Sequence, residues 1–258
     1  MNWYRIKTIL IFLFLAINLF LASLLFYENF AIKKAEEKRL ESAIGVLRDA
    51  GIKVEAPQIP VKHPRMATLT VQNQLADKEA FCARLLGGTP VRMGNTYRRQ
   101  GKSVTITDTG FMYRSGHAPA PAAKNAVKSM KTALSKLGFS MEYAKGYEKD
   151  GKVYFAMEIS GKPLYGSALI VTPGGEEIAE MEGNWPQVLE VKSTKTPTLG
   201  AADALMHLLH TSDISGETVE KIALGYTVLV EGGYQTADAV PVWRLETDEN
   251  VYFYDARS

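Results

Sequence analysis

The run RIKTILIFLFLAINLFLASLLFYENF, residues Arg5 to Phe30, constrains this chain more than anything that follows it. No charged residue interrupts it from Ile9 to Tyr27. As a helix rising about 1.5 Å per residue, that stretch is roughly 28 Å long, close to the hydrocarbon thickness of a bilayer. A cleavable signal peptide has an apolar stretch of about 7 to 15 residues followed by a small-x-small site. Here the apolar segment continues past Ala22 and Ser23 into Leu24, Leu25 and Phe26, so any such site would lie inside it. The segment is expected to stay as an anchor. No cysteine directly follows it, which argues against lipoprotein processing.

Orientation is read from the flanks. Arg5 and Lys7 precede the span, while Lys33, Lys34, Lys38 and Arg39 follow it, so a simple count of cations favours an outside N-terminus. Against that count stand Glu28 beside the span, the interleaved Glu36, Glu37 and Glu41, and the bulk of the chain on the C-terminal side. The expected topology is single-pass in the cell membrane, with a cytoplasmic N-terminus and an extracytoplasmic bulk.

The remainder has the composition of an ordinary folded protein. With 30 Lys and Arg against 28 Asp and Glu, the balance gives no case for nucleic acid as a partner. The one cysteine, Cys82, cannot form an internal disulfide and reads as a core residue between Phe81 and Leu85. The organisation expected is a cytoplasmic tip at 1–8, a transmembrane helix at 9–27 and a juxtamembrane helical stalk at 28–50. Two extracytoplasmic α+β domains follow, at 51–118 and 119–258.

Periodicity supports that division. Leu40, Ala43, Ile44 and Leu47 recur at i, i+3, i+4 and i+7 before Gly51, the pattern of a one-sided helix with a glycine stop. Pro57, Pro60 and Pro64 then mark an extended connector. Further helices are expected near Asp77 to Leu86, through AAKNAVKSMKTALSKLG, where Ala126, Met130, Ala133, Leu134 and Leu137 share a face, and in TLGAADALMHLLH. Strands are expected at Arg65 to Gln72 and in TYRRQGKSVTITDTGFMYRS, and four more in the stretch that ends at Gly183. The last three are expected at Lys221 to Val230, Val240 to Thr247 and Val251 to Tyr254. The turns Gln100-Gly101, Asp150-Gly151, Gly161-Lys162-Pro163 and Pro173-Gly174-Gly175 are hairpin-type connections, and strands joined so closely run antiparallel. The fold class is therefore α+β: a single N-terminal transmembrane helix, then extracytoplasmic antiparallel sheets each packed by helices.

Catalytic patterns do not emerge. Gly101-Lys102-Ser103 resembles the end of a phosphate loop, but the first glycine position is Thr96, and a hairpin turn accounts for it. There is no Ser-x-x-Lys, no G-x-S-x-G elbow and no H-E-x-x-H. His207 and His210, at i and i+3, have a metal-like spacing without further ligands nearby, and His63 and His117 are distant in sequence. Neither a metal, a cofactor nor a catalytic residue is assigned, and the chain is not read as an enzyme. Arg92, Arg98, Arg99 and Lys102 read as a solvated hairpin rim, the alternative being a surface for an anionic wall polymer or lipid headgroups.

Two stretches carry a resemblance. MNWYRIKTILIFLFLAINLFL, with Trp3, Arg5 and Lys7, and KIALGYTVLVEGGYQTADAVPVWRLETDENVYFYDA, with Leu224, Gly225, Tyr226, Pro241, Trp243, Tyr252 and Tyr254, resemble the YycI family of membrane-anchored regulators. GKVYFAMEISGKPLYGSALIV is similar to that family's central hairpin, and TLGAADALMHLLH sits where the family has a helix. The likeness thins between Pro57 and Pro119, and Asn2 stands where the family usually has an acidic residue. The resemblance implies a bitopic protein that, with its relative YycH, contacts an essential sensor histidine kinase controlling cell-wall metabolism and alters its activity. The kinase would be met through both transmembrane and outer regions. An anchored extracytoplasmic binding module for a cell-wall or lipid ligand is the alternative, and an anchored wall-processing enzyme is disfavoured by the missing motifs.

Within the span, Asn18 and Ala22 are the candidate contacts for a partner membrane helix. A mid-bilayer amide is unfavourable facing lipid, and Ala22, four residues on, shares its face and is small enough for close approach. The alternative is that one asparagine is tolerated in so apolar a span.

The retained, N-inside anchor predicts that a tag fused after Ser258 is digested by protease added to spheroplasts, and that the mature chain keeps its first residues. A protected tag, or an N-terminus beyond Ser23, would contradict it.

Overall fold

The computed structural model describes residues 3–57, 59–61, 64–121, 125–210, 214, 216–229 and 234–257, apart from the side chains of Tyr4, Arg5, Leu25, Glu28 and Asn29. Asn2, His63, Val230 and Ser258, and the 122–124 end of the third helical segment, lie outside the described residues.

The first helix, α1 (Trp3–Asp49), runs unbroken for 47 residues, because no proline and no glycine before Gly45 interrupts it. At about 1.5 Å per residue it is roughly 70 Å long. Span and stalk are thus one helix. It stops where Gly51 takes φ 84°. The Gly51 N–H donates to the Arg48 carbonyl at 3.0 Å and the Ile52 N–H to the Leu47 carbonyl at 2.9 Å, the paired closure of a Schellman motif.

The chain continues through β1 (Lys53–Val54), β2 (Met66–Gln72), α2 (Lys78–Leu86), β3 (Val91–Met93), β4 (Thr96–Arg99), β5 (Lys102–Ile106) and β6 (Phe111–Arg114). After α3 (Ala126–Lys136) come β7 (Ala144–Lys149), β8 (Lys152–Ile159), β9 (Lys162–Gly174), β10 (Glu177–Asn184) and β11 (Gln187–Thr196). It ends with α4 (Ala201–Leu208), β12 (Thr218–Val228), β13 (Thr236–Thr247) and β14 (Val251–Asp255). The α+β class stands, with a large and mostly antiparallel sheet.

These elements form two compact units, each discontinuous in sequence. Unit 1 comprises Met1–Pro64, Leu199–Ala223 and Leu245–Tyr254; unit 2 comprises Arg65–Thr198, Leu224–Arg244 and Asp255–Ser258. The boundary expected at 118/119 falls inside unit 2, because β6 from before it is hydrogen-bonded to β10 from after it. The stalk belongs with unit 1.

In unit 1, α1 packs on α4 through Ala43 and Leu47, which are buried as the expected face requires, with Leu40 and Ile44 half-buried. Ala201, Ala202, Ala204, Leu205 and Leu208 bury the facing side of α4, whose start is held by the Asp203 carboxylate accepting from the Gly200 N–H at 3.0 Å. β1 runs parallel to β12, Lys53 beside Thr218. Next to that pairing, the buried Glu217 accepts from the Thr247 hydroxyl at 2.5 Å, the Tyr252 hydroxyl at 3.0 Å and the Asn250 amide at 3.2 Å. A buried carboxylate is tolerated only with such partners.

In unit 2 the strand order is β11, β2, β13, β12, β9, β10, β6, β5, β4, β3, with the β7–β8 hairpin joined through β8 to β9. The four strands expected before Gly183 are β7 to β10, all antiparallel. Three differences are physical. β9 meets β12 in parallel, Tyr226 beside Leu164, since these strands are far apart in sequence and no hairpin dictates their sense. Pro163 and Pro173 lie inside β9, and the second turn is made by Ser160 and Gly161, both with positive φ. β11 was not expected from the pattern, because its residues are mostly exposed and show no apolar alternation.

Two positions show how tightly this sheet is packed. Residues Ala239 to Trp243 of β13 are buried on both faces, and Trp243 is 0 % exposed. A Cβ added at Gly225 would lie 2.5 Å from a Tyr165 ring carbon and 2.7 Å from the Pro163 carbonyl oxygen, so no larger residue fits without moving β9.

Truncation by Trp243→Ala should lower unfolding free energy by about 3 to 5 kcal/mol in chemical denaturation; an unchanged midpoint would place that ring outside the core. Gly225→Ala should cost about 1 to 3 kcal/mol through overpacking, and a neutral effect would mean that Tyr165 moves freely aside.

Candidate functional site

The segment Ile6–Leu24, 19 residues with Lys7 its one charge, is apolar and long enough to cross a membrane, and none of it is buried against the rest of the chain. Outside it, α1 is laced by exposed ion pairs, Lys33 with Glu37 at 3.5 Å and Arg39 with Glu36 at 3.4 Å. This is the alternation of signs expected of a solvated face.

Asn18 donates one amide hydrogen to the Phe14 carbonyl at 2.8 Å, one turn back in the same helix. That bond meets part of the amide's need. Its carbonyl oxygen and second N–H have no partner among the described residues, and both are exposed on the span. Ala22 follows four residues on, so the helix presents an amide above a small residue on one stripe. In hydrocarbon such an amide recovers about 0.6 to 2 kcal/mol by bonding across a helix interface. Further along α1, a shallow, mainly apolar groove of about 530 Å³ lies against α4, between Ala43 and Val46 on one side and Ala202 and Met206 on the other.

The remaining candidates resolve into structural roles. Cys82 is 0 % exposed and burial pushes its thiol up to about 11, so it is held as a neutral thiol rather than a nucleophile. The His207 ring stacks on Tyr254 at 5.9 Å, and no group of three metal-ligating side chains occurs among the described residues. Gly101-Lys102-Ser103 belongs to the β4–β5 hairpin, where Gln100 and Gly101 both have positive φ as a type I′ turn requires. Of the basic cluster, Arg99 donates to the Leu86 carbonyl at 3.1 Å and Arg92 to the Gly94 carbonyl at 3.1 Å. Leu224, Tyr226 and Trp243 are core residues, and Tyr252 holds Glu217.

Unit 2 also contains a polar cleft of about 600 Å³ that sequence reading passed over. Lys128, Thr132 and Lys136 on α3 line it with Lys102 from β5 and Tyr113 from β6. The signal available was the polar stripe at i, i+4 and i+8 on α3, opposite the apolar face that drew attention. Nothing local connects that stripe with β5 and β6.

Comparison with known proteins places the chain. The family described as YycI protein matches residues 32–257. No curated protein matches. Among solved structures, YycH from Bacillus subtilis is 12% identical with a TM-score of 0.43, over 72% of this chain and 52% of that one, so the chain spans about half the length of that structure. An uncharacterized protein from Eubacterium rectale ATCC 33656 is 11% identical with a TM-score of 0.33, over 80% of this chain and 86% of that one. With nearly all of the sequence beyond the span matched to one family, the chain belongs to the YycI family.

Proposed function

We propose that this protein is a membrane-anchored extracytoplasmic regulator that binds a two-component sensor histidine kinase controlling cell-wall metabolism and modulates it, together with a YycH-like protein. The N-terminus is cytoplasmic and the bulk extracytoplasmic. The observation that carries the reading is the family match over residues 32–257, continuous through α1 with a segment apolar enough to span a bilayer. A regulator of this kind needs surfaces rather than a catalytic centre, and no catalytic residue is assigned.

Asn18 and Ala22 supply the membrane surface in this reading. A sensor kinase that itself crosses the bilayer offers helices at the same depth, where a polar contact has no competing water. The outer part of α1 and α4 adds a second contact region, since their groove leaves Val46 44% and Met206 37% exposed.

In the full-length protein, Asn18→Leu should insert normally yet reduce crosslinking to the kinase by about 3-fold to 30-fold, the equivalent of about 0.6 to 2 kcal/mol. Kinase-dependent reporter output should change with it. Unchanged crosslinking and output would leave the span as an anchor alone.

A further inference from the structure

Several cations of unit 2 are paired with carboxylates. Arg114 meets Glu180 at 3.1 Å, Lys145 meets Glu158 at 2.7 Å and Lys192 meets Asp238 at 2.6 Å. The cleft along α3 departs from this pattern. Lys102, Lys128 and Lys136 all line it, and none has a carboxylate partner among the described residues. These ammonium groups outnumber the carboxylates of the lining, Glu176 and Glu177, so the concavity is positive on balance, which concentrates field and favours an anion.

The wall of the cleft carries a second, independent sign. Tyr113 is only 3 % exposed, and its hydroxyl has no hydrogen-bond partner among the described residues. Yet no sealed side-chain oxygen or nitrogen is left unsatisfied among those residues, so this hydroxyl is not shut in: it opens into the cleft that Tyr113 lines. A buried phenol normally finds a partner within the protein. Here the partner must come from the cleft. Burial, with the nearby Glu177 adding to it, raises the pKa of Tyr113, so it stays a proton donor at neutral pH.

The other lining groups narrow the ligand. At the β9–β10 turn, Glu177 is already engaged by His117 Nδ1 at 2.9 Å, while Glu176 is exposed and has no partner among the described residues. Glu176 is therefore an acceptor suited to ligand hydroxyls at the rim. Ala133, Leu137 and Ile178 add apolar wall between the polar groups. About 600 Å³ lies in the usual range for small-ligand sites, and inorganic phosphate would occupy only a small part of it. A neutral sugar would leave the ammonium groups unmatched, and an apolar ligand would leave the whole polar lining unmatched.

We infer that the cleft between α3, β5, β6 and the β9–β10 turn is a binding site for a phosphate-bearing sugar or polyol. Lys102, Lys128 and Lys136 hold its phosphate, Tyr113 donates to it, and Glu176 accepts from its hydroxyls. This site stands independently of the regulator reading, since it uses neither the span nor α4.

The test is equilibrium dialysis of the full-length protein in phosphatidylcholine nanodiscs against glucose 1-phosphate and glycerol 1-phosphate, with glucose and inorganic phosphate as comparisons. At least one phosphorylated probe should bind saturably and about tenfold more tightly than either comparison, and the double variant Lys128→Gln, Lys136→Gln should weaken it by about tenfold or more, the loss expected from one charge-assisted contact. Tyr113→Phe should weaken binding severalfold without lowering the unfolding temperature, because its hydroxyl has no partner inside the fold. Repeating the dialysis in phosphatidylglycerol nanodiscs separates the sources of such a ligand. Loss of probe binding there assigns the occupant to a lipid headgroup, and retention assigns it to a soluble polyol phosphate. No saturable binding of either phosphorylated probe, equal affinity for inorganic phosphate, or binding unchanged in the double variant would overturn the proposal.

Discussion

One unbroken ladder of backbone hydrogen bonds runs through α1 from the apolar span to Gly51. In hydrocarbon a spanning segment must satisfy its own backbone, and a helix does so within itself. Once out of the apolar stretch, the same ladder carries a one-sided face, and Ala43 and Leu47 are buried against the alanine-rich side of α4. Asn18 and Leu47 are thus points on one rod, about 44 Å apart at 1.5 Å per residue. A contact made along the apolar span and a contact made at α4 act on the same rigid element, the geometry that the proposed regulatory role calls for.

The C-terminal residues that carry the family resemblance are architectural. Gly225 lets β12 lie against Tyr165 and Pro163, Tyr226 sits beside Leu164 where β9 and β12 pair in parallel, and Trp243 fills the centre of β13. Tyr252 completes the hydrogen bonds of the buried Glu217. Such residues identify a fold because their neighbours leave no room for substitutes. Surface residues meet no such constraint, and the candidate partner contacts Asn18 and Ala22 are exposed on the span.

Local rules carried far in this chain. The stop at Gly51, the one-sided faces of α1 and α3, and the hairpins at Gln100-Gly101 and Asp150-Gly151 were legible because each depends on a few adjacent residues with an unambiguous preference. Legibility failed where partners are distant. Nothing local in Lys53 points to Thr218, and the exposed, polar β11 offers no alternation to read. The same reason hid the cleft of unit 2. Lys128 is on a helix, Tyr113 in a strand and Glu177 beside a turn, and only the antiparallel pairing of β6 with β10 brings the latter two together.

The central claim, that this chain works by holding a sensor kinase, is tested most directly by recovering it from its own membranes. Full-length protein, crosslinked in intact cells, purified in mild detergent and analysed by mass spectrometry, should carry a sensor histidine kinase and a YycH-like protein in near-stoichiometric amounts. Recovery of the chain alone, or with neither of these partners enriched over a control membrane protein, would contradict the account.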